Sequence, residues 1–324
     1  MPRSREDGSL AEPLKRVVAA IRTLPRARYL LAVSGGRDSM VLLDAFARLR
    51  SDAVAAATFD HGTGRAAEKA ALLVELEGSR RSVPVVSGRR SNAGDSGEAA
   101  WRAARWEFLA GWASELSATV VTAHTRDDQL ETVVMRVLRD PRHTSARGMA
   151  AMYARSAVAR PLLDVARADV AAYAEAFHVR YIDDPSNLDR THLRNRVRLD
   201  LLPALERAHP GFGDEMIAVA RDAAAWRESV ERVVDTFGAK VLPPLVVPAD
   251  ALADLPADAL AILWPAIAAR AGIALDWRGT ERLVAFTRTG RPGGKIPLSG
   301  GAEVGRTAAT FVVRASAAVE ALYS

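Results

Sequence analysis

The chain runs from an apolar segment through two adjacent glycines directly into an amphipathic segment at residues 29–44. This pattern predicts a short buried strand followed by a helix. Gly35 and Gly36 lack a Cβ, so the connecting turn is tight and its backbone N–H groups can close around an anion. The helix that follows aims its positive end at the same place. Residues Ser34–Ser39 are therefore predicted to bind phosphate.

Side chains of the same turn supply further ligands for a phosphate. Ser34 and Ser39 offer hydroxyl donors, and Asp38 offers a carboxylate for a magnesium ion that bridges phosphates. The turn lacks the lysine of a P-loop and the three spaced glycines of a dinucleotide-binding fold. Two glycines could serve the turn geometry alone, but two hydroxyls and a carboxylate beside them favour a phosphate site.

Strands alternate with helices over the first half of the sequence. Four short apolar runs are predicted to be strands: Tyr29–Val33, Ala53–Phe59, Val83–Val86 and Ala118–Ala123. This alternation predicts an α/β fold, a parallel sheet with helices on both faces, whose ligands lie at the carboxyl ends of the strands. The phosphate turn and the pair Asp60 and His61 fall at such ends.

The sequence changes character beyond about residue 160. Helical segments dominate, and the proline-rich segment Leu242–Pro248 is predicted to be a linker. Two more helices and three short strands then indicate a small α+β C-terminal domain. At 324 residues the chain is long enough for two hydrophobic cores. We predict a first domain at residues 1–210, and a helical linker with a small second domain at residues 211–324.

The composition narrows the functional classes. The 324 residues include no cysteine, which excludes disulfides, cysteine-ligated zinc and sulfur transfer through a cysteine persulfide. Lysine and arginine together number 44 against 39 acidic residues, a net charge of +5 that makes nucleic acid a somewhat better candidate partner. The sequence shows no apolar leader and no run of membrane-spanning length, which predicts a cytoplasmic protein.

A second group of polar residues follows the fourth predicted strand. Asp128 and Glu131 lie one helical turn apart on the same face, where two carboxylates favour a cation between them, either a metal ion or an ammonium group. Acidic residues also favour the first turn of a helix because of its dipole, and this is the better explanation for Asp127. His124, at the strand end, fits a ligand contact and an ordinary satisfied polar group equally well.

A third group carries arginines. Arg194 and Arg198 share a helix face at a spacing of four residues, where like charges cost stability unless an anion lies between them. A phosphate of ATP, of pyrophosphate or of RNA would serve. Taken alone, the segment is explained equally well as a solvated basic stripe.

Together these segments resemble the tRNA(Ile)-lysidine synthetase family of PP-loop ATP pyrophosphatases. The resemblance covers roughly the first 210 residues and rests on the order and spacing of several motifs. They are Ser34–Ser39, Asp60–Gly62, Glu98 with Arg102, Arg105 and Trp106, Thr122–Thr132, Met135–Arg139, Arg160–Leu163, Asp184–Asn187 and Arg194–Arg198. A weaker match, Gly293–Gly301, resembles the family's small C-terminal domain. The resemblance implies that residues 1–210 are an ATP-binding catalytic domain and that the small domain within residues 211–324 binds tRNA.

The resemblance implies that ATP and L-lysine convert the wobble cytidine of a CAU-anticodon isoleucine tRNA to lysidine, with release of AMP and pyrophosphate. The residues implied to bind the nucleotide are Ser34, Gly35, Gly36, Arg37, Asp38, Ser39, Asp60, His61 and His124, and Asp38 is also implied to hold Mg²⁺. The implied catalytic residues are Asp38, Asp128, Glu131 and Arg194, with Asp128 and Glu131 binding the lysine. The implied contacts to tRNA or phosphate are Arg102, Arg105, Arg139, Arg194, Arg196 and Arg198.

Other functions stay open at this point. A PP-loop enzyme that thiolates a tRNA base would need a relay cysteine or an iron–sulfur site, whereas a tRNA-binding homologue without catalysis would satisfy the same charge and fold arguments. The sequence also departs from the family pattern at Asp140–Met149, where the family has a glycine-rich loop, and at Trp106 and Thr125. A homodimer is compatible with the resemblance, although no sequence feature demands it.

Overall fold

The structure is a computed structural model. It describes residues 11–60, 62, 64–89, 98–139, 149, 151–153, 158–183, 188–237, 244–271, 273, 275–298 and 301–314, without the side chains of residues 98, 99 and 139. His61, the side chain of Arg139, the motif at residues 184–187 and most of the loop at residues 140–149 lie outside this description. The chain divides into two compact units, Met1–Pro141 with Gly148–Arg221 and Arg142–Arg147 with Asp222–Ser324. The assignment of a catalytic and a tRNA-binding domain stays a prediction.

A parallel four-stranded sheet forms the centre of the first unit. Its strands are β1 (Tyr29–Ala32), β2 (Ala53–Asp60), β3 (Val85–Arg89) and β4 (Thr119–Val121), in the order β3-β2-β1-β4. In register, Leu30 of β1 lies opposite Ala55 of β2 on one side and Val120 of β4 on the other. The chain therefore reverses its direction of winding between β1 and β4. A crevice at the carboxyl ends of these two strands is the usual ligand site of such sheets.

Helices cover both faces of this sheet. They are α1 (Glu12–Arg22), α2 (Arg37–Leu49), α3 (Arg65–Arg80), α4 (Glu98–Glu115), α5 (Arg126–Arg139) and α6 (Arg167–Ala176). Successive side chains of β1 point to opposite faces. Leu31 accordingly packs in a core with Phe46 and Val170, whereas Leu30 packs in a second core with Leu109. The predicted parallel sheet with helices on both faces is confirmed.

The helical segment after α6 is interrupted by a wider turn. It consists of α7 (Leu193–Arg196), a π-helical turn at Val197–Leu201 and α8 (Leu202–Ala208), and α9 (Phe212–Thr236) follows. Turns of this kind often occur at functional sites. Among the described residues, no helix combines the length and apolar character that a membrane crossing needs.

The second unit contains an antiparallel sheet in the order β5-β8-β7-β6. Its elements are β5 (Leu245–Pro248), α10 (Asp250–Ala253), α11 (Ala257–Arg270), α12 (Trp277–Thr289), β6 (Lys295–Pro297), β7 (Glu303–Arg306) and β8 (Thr310–Arg314). Trp264 packs edge-on against Phe311 at 5.5 Å between ring centroids, in the buried core of this unit.

The segment Leu242–Pro248 is not simply a linker, because its last four residues form β5 and pair with β8. Leu245 and Val247 alternate with the exposed Val246 and are buried, as expected for a strand with one face on the core. Pro248 is tolerated because β5 lies at the edge of the sheet.

Candidate active site

The turn between β1 and α2 depends on glycine at one position. Gly35 adopts a φ of +83°, and a Cβ there would lie 2.7 Å from the Cβ of Ala70 and 2.9 Å from its carbonyl oxygen. The loop is thus packed directly onto α3. Gly36 has an ordinary extended conformation with φ at −75° and ψ at 161°, and it precedes the first residue of α2. Only the first glycine is required by the backbone.

Two serines shape this turn. The Ser39 hydroxyl donates to the Gly36 carbonyl at 2.8 Å and accepts from the Ser34 backbone N–H at 3.1 Å. The two hydroxyl oxygens lie 3.2 Å apart. Ser39 is 7% exposed. Its hydroxyl therefore ties the turn to the first turn of α2 and holds the backbone N–H groups of the loop in place.

A cavity of about 360 Å³ opens at the carboxyl ends of the parallel strands. Its polar wall comes from residues of the turn and of the strand ends, Ser34, Gly36, Asp38, Ser39, Thr58, Thr122 and His124, together with Arg105 of α4. The helix α3 lines the cavity with four alanines, Ala66, Ala67, Ala70 and Ala71, and Ala70 is also the residue on which Gly35 packs. Polar groups of the turn together with small apolar side chains suit a nucleotide, which has charged phosphates and an apolar base.

Asp38 is the carboxylate of this cavity. Burial raises its pKa, while Arg167 and Arg37 oppose the shift. The Arg37 Nε lies 3.4 Å from one carboxylate oxygen and the Arg167 Nε lies 3.8 Å from the other. Within the described part of the chain, no group of three or more His, Asp or Glu side chains could hold a metal. A single carboxylate fits Mg²⁺ that is bound mainly through phosphate oxygens.

His124 lines the same cavity and is held by Thr122. The His124 Nδ1 and the Thr122 Oγ1 lie 2.8 Å apart. Burial lowers the pKa of His124 to about 4; Asp128 opposes this shift and the surrounding arginines reinforce it. The imidazole is therefore neutral near pH 7 and does not add positive charge to the cavity.

We expect His124 to make stability fall in mild acid. Its pKa is lower in the folded chain than in the unfolded chain, so only the unfolded chain takes up a proton as the pH falls from about 6.5 towards 4. The free energy of unfolding should decrease by about 2 kcal/mol between pH 7 and pH 5. Urea titrations of the wild type and of His124→Gln test this. The decrease should be absent in His124→Gln, and an unchanged dependence of stability on pH in that variant would contradict the assignment.

A second set of side chains forms an acid–arginine cluster, which we define as Asp128, Glu131, Arg167, Arg194 and Arg198. Asp128 accepts hydrogen bonds from Arg167 and from Arg194, each at 2.9 Å. Glu131 accepts from Arg167 at 3.1 Å, from Arg194 at 2.7 Å and from Arg198 at 2.6 and 3.1 Å. Glu131 is 1% exposed. The structure thus brings together the two predicted carboxylates, Asp128 and Glu131, which we call the acid pair. The three arginines neutralise the negative charge of this pair.

The arginines control the charge state of the pair. Burial alone would raise the pKa of Asp128 and of Glu131, yet their arginine partners hold both pKa values below the ordinary carboxyl range. Thr125 also donates its backbone N–H and its hydroxyl to Asp128, each at 2.9 Å. Both side chains are therefore carboxylates at neutral pH. The stability they add is present above the unfolded carboxyl pKa and is lost as the pH falls through the folded values.

Arg167 was missed by the sequence analysis. It is the first residue of α6 and links the cavity to the acid pair, because its guanidinium contacts Asp128 and Glu131 and lies near Asp38. Its backbone N–H donates to Asp127 at 2.7 Å. One local signal was present: a cation at the start of a helix opposes the helix dipole, so a nearby anion is expected to compensate it.

The remaining predicted residues lie in different places. Arg105 lines the cavity, and its guanidinium carbon lies 5.7 Å from the ring centroid of Trp106. Asp60 is buried at the end of β2 and accepts from the Gly62 backbone N–H at 2.8 Å, but it does not line the cavity. Arg102 and Arg196 are exposed.

Comparison with known proteins identifies relatives of the whole first unit. A model of the PP-loop domain family matches residues 9–205. A tRNA(Ile)-lysidine synthase from Xanthomonas campestris pv. campestris (strain 8004) is 40% identical over 213 residues, which cover 63% of this chain and 48% of that relative. One from Bordetella parapertussis (strain 12822) is 38% identical over 236 residues, covering 68% of this chain and 67% of the relative. The chain thus spans about half the length of the Xanthomonas relative.

Among solved structures, the U34-tRNA thiolase NcsA from Methanococcus maripaludis, with its [4Fe-4S] cluster, shares the fold. The TM-score is 0.53 at 15% sequence identity, and the match covers 66% of this chain and 79% of that chain. This likeness concerns the fold alone. The family model over residues 9–205 and the curated relatives lead to one assignment. The chain belongs to the PP-loop domain family, and its curated relatives in that family are tRNA(Ile)-lysidine synthases.

Proposed function

We propose that the protein joins L-lysine to C2 of the wobble cytidine in a CAU-anticodon isoleucine tRNA, using ATP and releasing AMP and pyrophosphate. The observation that carries this proposal is the placement of two sites side by side. A phosphate-binding turn and a buried acid pair meet through Arg167, which lies 3.8 Å from Asp38 and 2.9 Å from Asp128. A nucleotide site and a cation site in contact suit a reaction that combines ATP with an amine.

The first step activates the base. The cytidine O2 attacks the α-phosphorus of ATP, the bond to the β-phosphate oxygen breaks, and pyrophosphate leaves. The loop at Ser34–Ser39 would hold the phosphates through backbone N–H groups and the helix end. Mg²⁺, when bound with Asp38, would neutralise charge on the leaving pyrophosphate. Arg105, on the cavity wall, would contact a phosphate or the incoming RNA.

The second step attaches the amino acid. A neutral amine of lysine attacks C2, and AMP leaves with the O2 oxygen that it gained in the first step. Asp128 and Glu131 would orient the lysine through an ammonium group, because both are carboxylates in a largely buried place. The attacking amine passes its proton to a carboxylate or a phosphate oxygen. Exposed arginines such as Arg102 and Arg196 would hold the tRNA backbone, with an affinity that falls as salt rises.

Two other functions fit less well. Thiolation through a relay cysteine or a cysteine-bound cluster is excluded for the 324 residues, which contain no cysteine. A silent tRNA-binding homologue would keep the fold and the surface charge, but it would not need a cavity lined by Ser34, Asp38 and Ser39 of the phosphate turn.

An assay with labelled lysine tests the proposal. The protein, ATP, Mg²⁺ and a CAU-anticodon tRNA transcript should yield labelled tRNA together with AMP in equal amounts. A transcript with uridine at the wobble position is the matched control and should stay unlabelled. Formation of ADP would contradict attack at the α-phosphorus, and tRNA binding without AMP formation would favour the silent homologue.

A further inference from the structure

The acid pair is already saturated with positive charge. Three guanidinium groups, those of Arg167, Arg194 and Arg198, face the two carboxylates of Asp128 and Glu131 at hydrogen-bond distance. An added ammonium group would place a fourth cation against two anions. In a partly buried site with weak solvent screening, that arrangement is strongly unfavourable. A lysine substrate must therefore replace one of the arginines.

Arg167 is the arginine with a second acceptor close by. Its Nη atoms bind Asp128 and Glu131, while its Nε lies 3.8 Å from the Asp38 carboxylate. The ion pairs described for Arg194 and Arg198 involve only the acid pair itself. A modest rotation of the Arg167 side chain would move its guanidinium away from Asp128 and Glu131 and towards the cavity that Asp38 lines.

The backbone of Arg167 stays fixed during such a rotation. Its N–H donates to Asp127 at 2.7 Å, which anchors the first residue of α6 to the first turn of α5. Val170, one turn further along, is fully buried in the core. The guanidinium can therefore change partners without movement of the helix.

The negative charge of a bound nucleotide would drive the rotation of the Arg167 side chain. Asp38 lines the cavity together with Ser34 and Ser39, and its carboxylate lies 3.8 Å from the Arg167 Nε. A polyphosphate in the cavity adds more negative charge on the Asp38 side of Arg167. The electrostatic attraction on the Arg167 guanidinium towards the cavity then exceeds the attraction towards the acid pair.

We propose that Arg167 is a positioning residue that couples the two substrates. Without nucleotide, its guanidinium occupies the face of Asp128 and Glu131 that lysine needs. With a polyphosphate in the cavity, the guanidinium turns towards the phosphate oxygens and leaves that face to the lysine ammonium. This inference rests on the proposed function of the two sites and adds the order in which the two substrates bind. ATP binds first, and lysine binds second.

Equilibrium dialysis of labelled L-lysine tests the coupling with the full chain. The nucleotide probe is α,β-methylene-ATP with Mg²⁺, since it cannot be cleaved between the first two phosphates. In the wild type, the nucleotide should tighten lysine binding at least about 5-fold, and lysine should tighten nucleotide binding by the same factor. Arg167→Gln should bind lysine equally well with and without nucleotide.

Two further variants make the result specific. Arg167→Lys restores a cation and should again exclude lysine until nucleotide is present, provided that its melting temperature shows a folded protein. Arg126→Gln removes a neighbouring arginine whose partner is the exposed Asp214, and it should keep the wild-type coupling.

Specific outcomes overturn the inference. One is an equal affinity of the wild type for lysine with and without nucleotide. The other is that Arg194→Gln, and not Arg167→Gln, binds lysine equally well with and without nucleotide. Failure of the proposed function looks different, because lysine would then not bind under any condition and tRNA would produce no AMP.

Discussion

Gly35→Ala is expected to weaken nucleotide binding by about 100-fold while the protein stays folded. The substituted Cβ would lie 2.7 Å from the Ala70 Cβ, and the residue would have to keep a φ of +83°. A left-handed conformation costs about 1–2 kcal/mol for a non-glycine residue, and overpacking costs about 1–3 kcal/mol. The loop escapes this strain by moving off α3, which displaces the N–H groups that would face the phosphates. Titration calorimetry with ATP and Mg²⁺ measures the loss.

Gly36→Ala is the matched control for this prediction. Its Cβ would find no atom closer than the Ser34 Oγ at 3.6 Å, and its φ of −75° suits alanine. The loss of affinity should stay below about 10-fold, since the change adds no backbone strain. Equal losses of nucleotide affinity in the two variants would mean that any methyl group added to the loop hinders binding, so that the strained backbone of Gly35 is not the cause.

Glu131→Gln should be the most damaging isosteric change in the acid–arginine cluster. The Glu131 carboxylate accepts four hydrogen bonds from three arginines, and glutamine would leave Asp128 as the one carboxylate facing all three guanidinium groups. Removing one partner of a buried ionic group costs about 3 kcal/mol of stability. Lysine attachment should fall by about 100-fold, whereas pyrophosphate release in the first step should fall much less. Urea titration and the two product assays measure these effects separately.

Glu215→Gln provides the comparison for that variant. The Glu215 side chain is 67% exposed and its ion pair is with His209. An exposed substitution of this kind should change stability by less than about 0.5 kcal/mol. A similar loss of stability in both variants would show that Glu131 contributes no more than an ordinary surface charge. If Glu131→Gln reduced lysine attachment and pyrophosphate release equally, a role of Glu131 confined to lysine would be contradicted.

The phosphate turn and the parallel sheet could be predicted because their determinants are local. Two adjacent glycines after an apolar run specify a tight turn, and alternating strands and helices specify a sheet covered on both faces. The pairing of Asp128 with Glu131 followed from helical spacing alone. Their proximity to the turn followed from one rule of topology, that the carboxyl ends of neighbouring parallel strands meet at the same edge.

Other features depend on contacts that no local pattern encodes. Arg167 meets Glu131 across 36 residues of sequence, so only the folded chain shows the two together. The strand β3 runs from Val85 to Arg89 rather than over the predicted Val83–Val86, because an edge strand needs fewer apolar side chains. The strand β5 was hidden by prolines. The hydrogen bond from the Gly62 backbone N–H to Asp60 is likewise seen only in the folded chain, and a nucleotide contact by Asp60 stays a prediction.

The four alanines of α3 limit how the cavity can be enlarged by mutation. A pocket is usually enlarged for a bulky substrate analogue by trimming a large side chain, but Ala66, Ala67, Ala70 and Ala71 have only a methyl group to remove. Extra room has to come from the other walls, where Phe59 and Leu109 also line the cavity. Under the proposed function, a variant that accepts an enlarged nucleotide would distinguish this protein's activity from that of other ATP-consuming enzymes in a mixture. Such a variant should be sought at Leu109 before any position on α3.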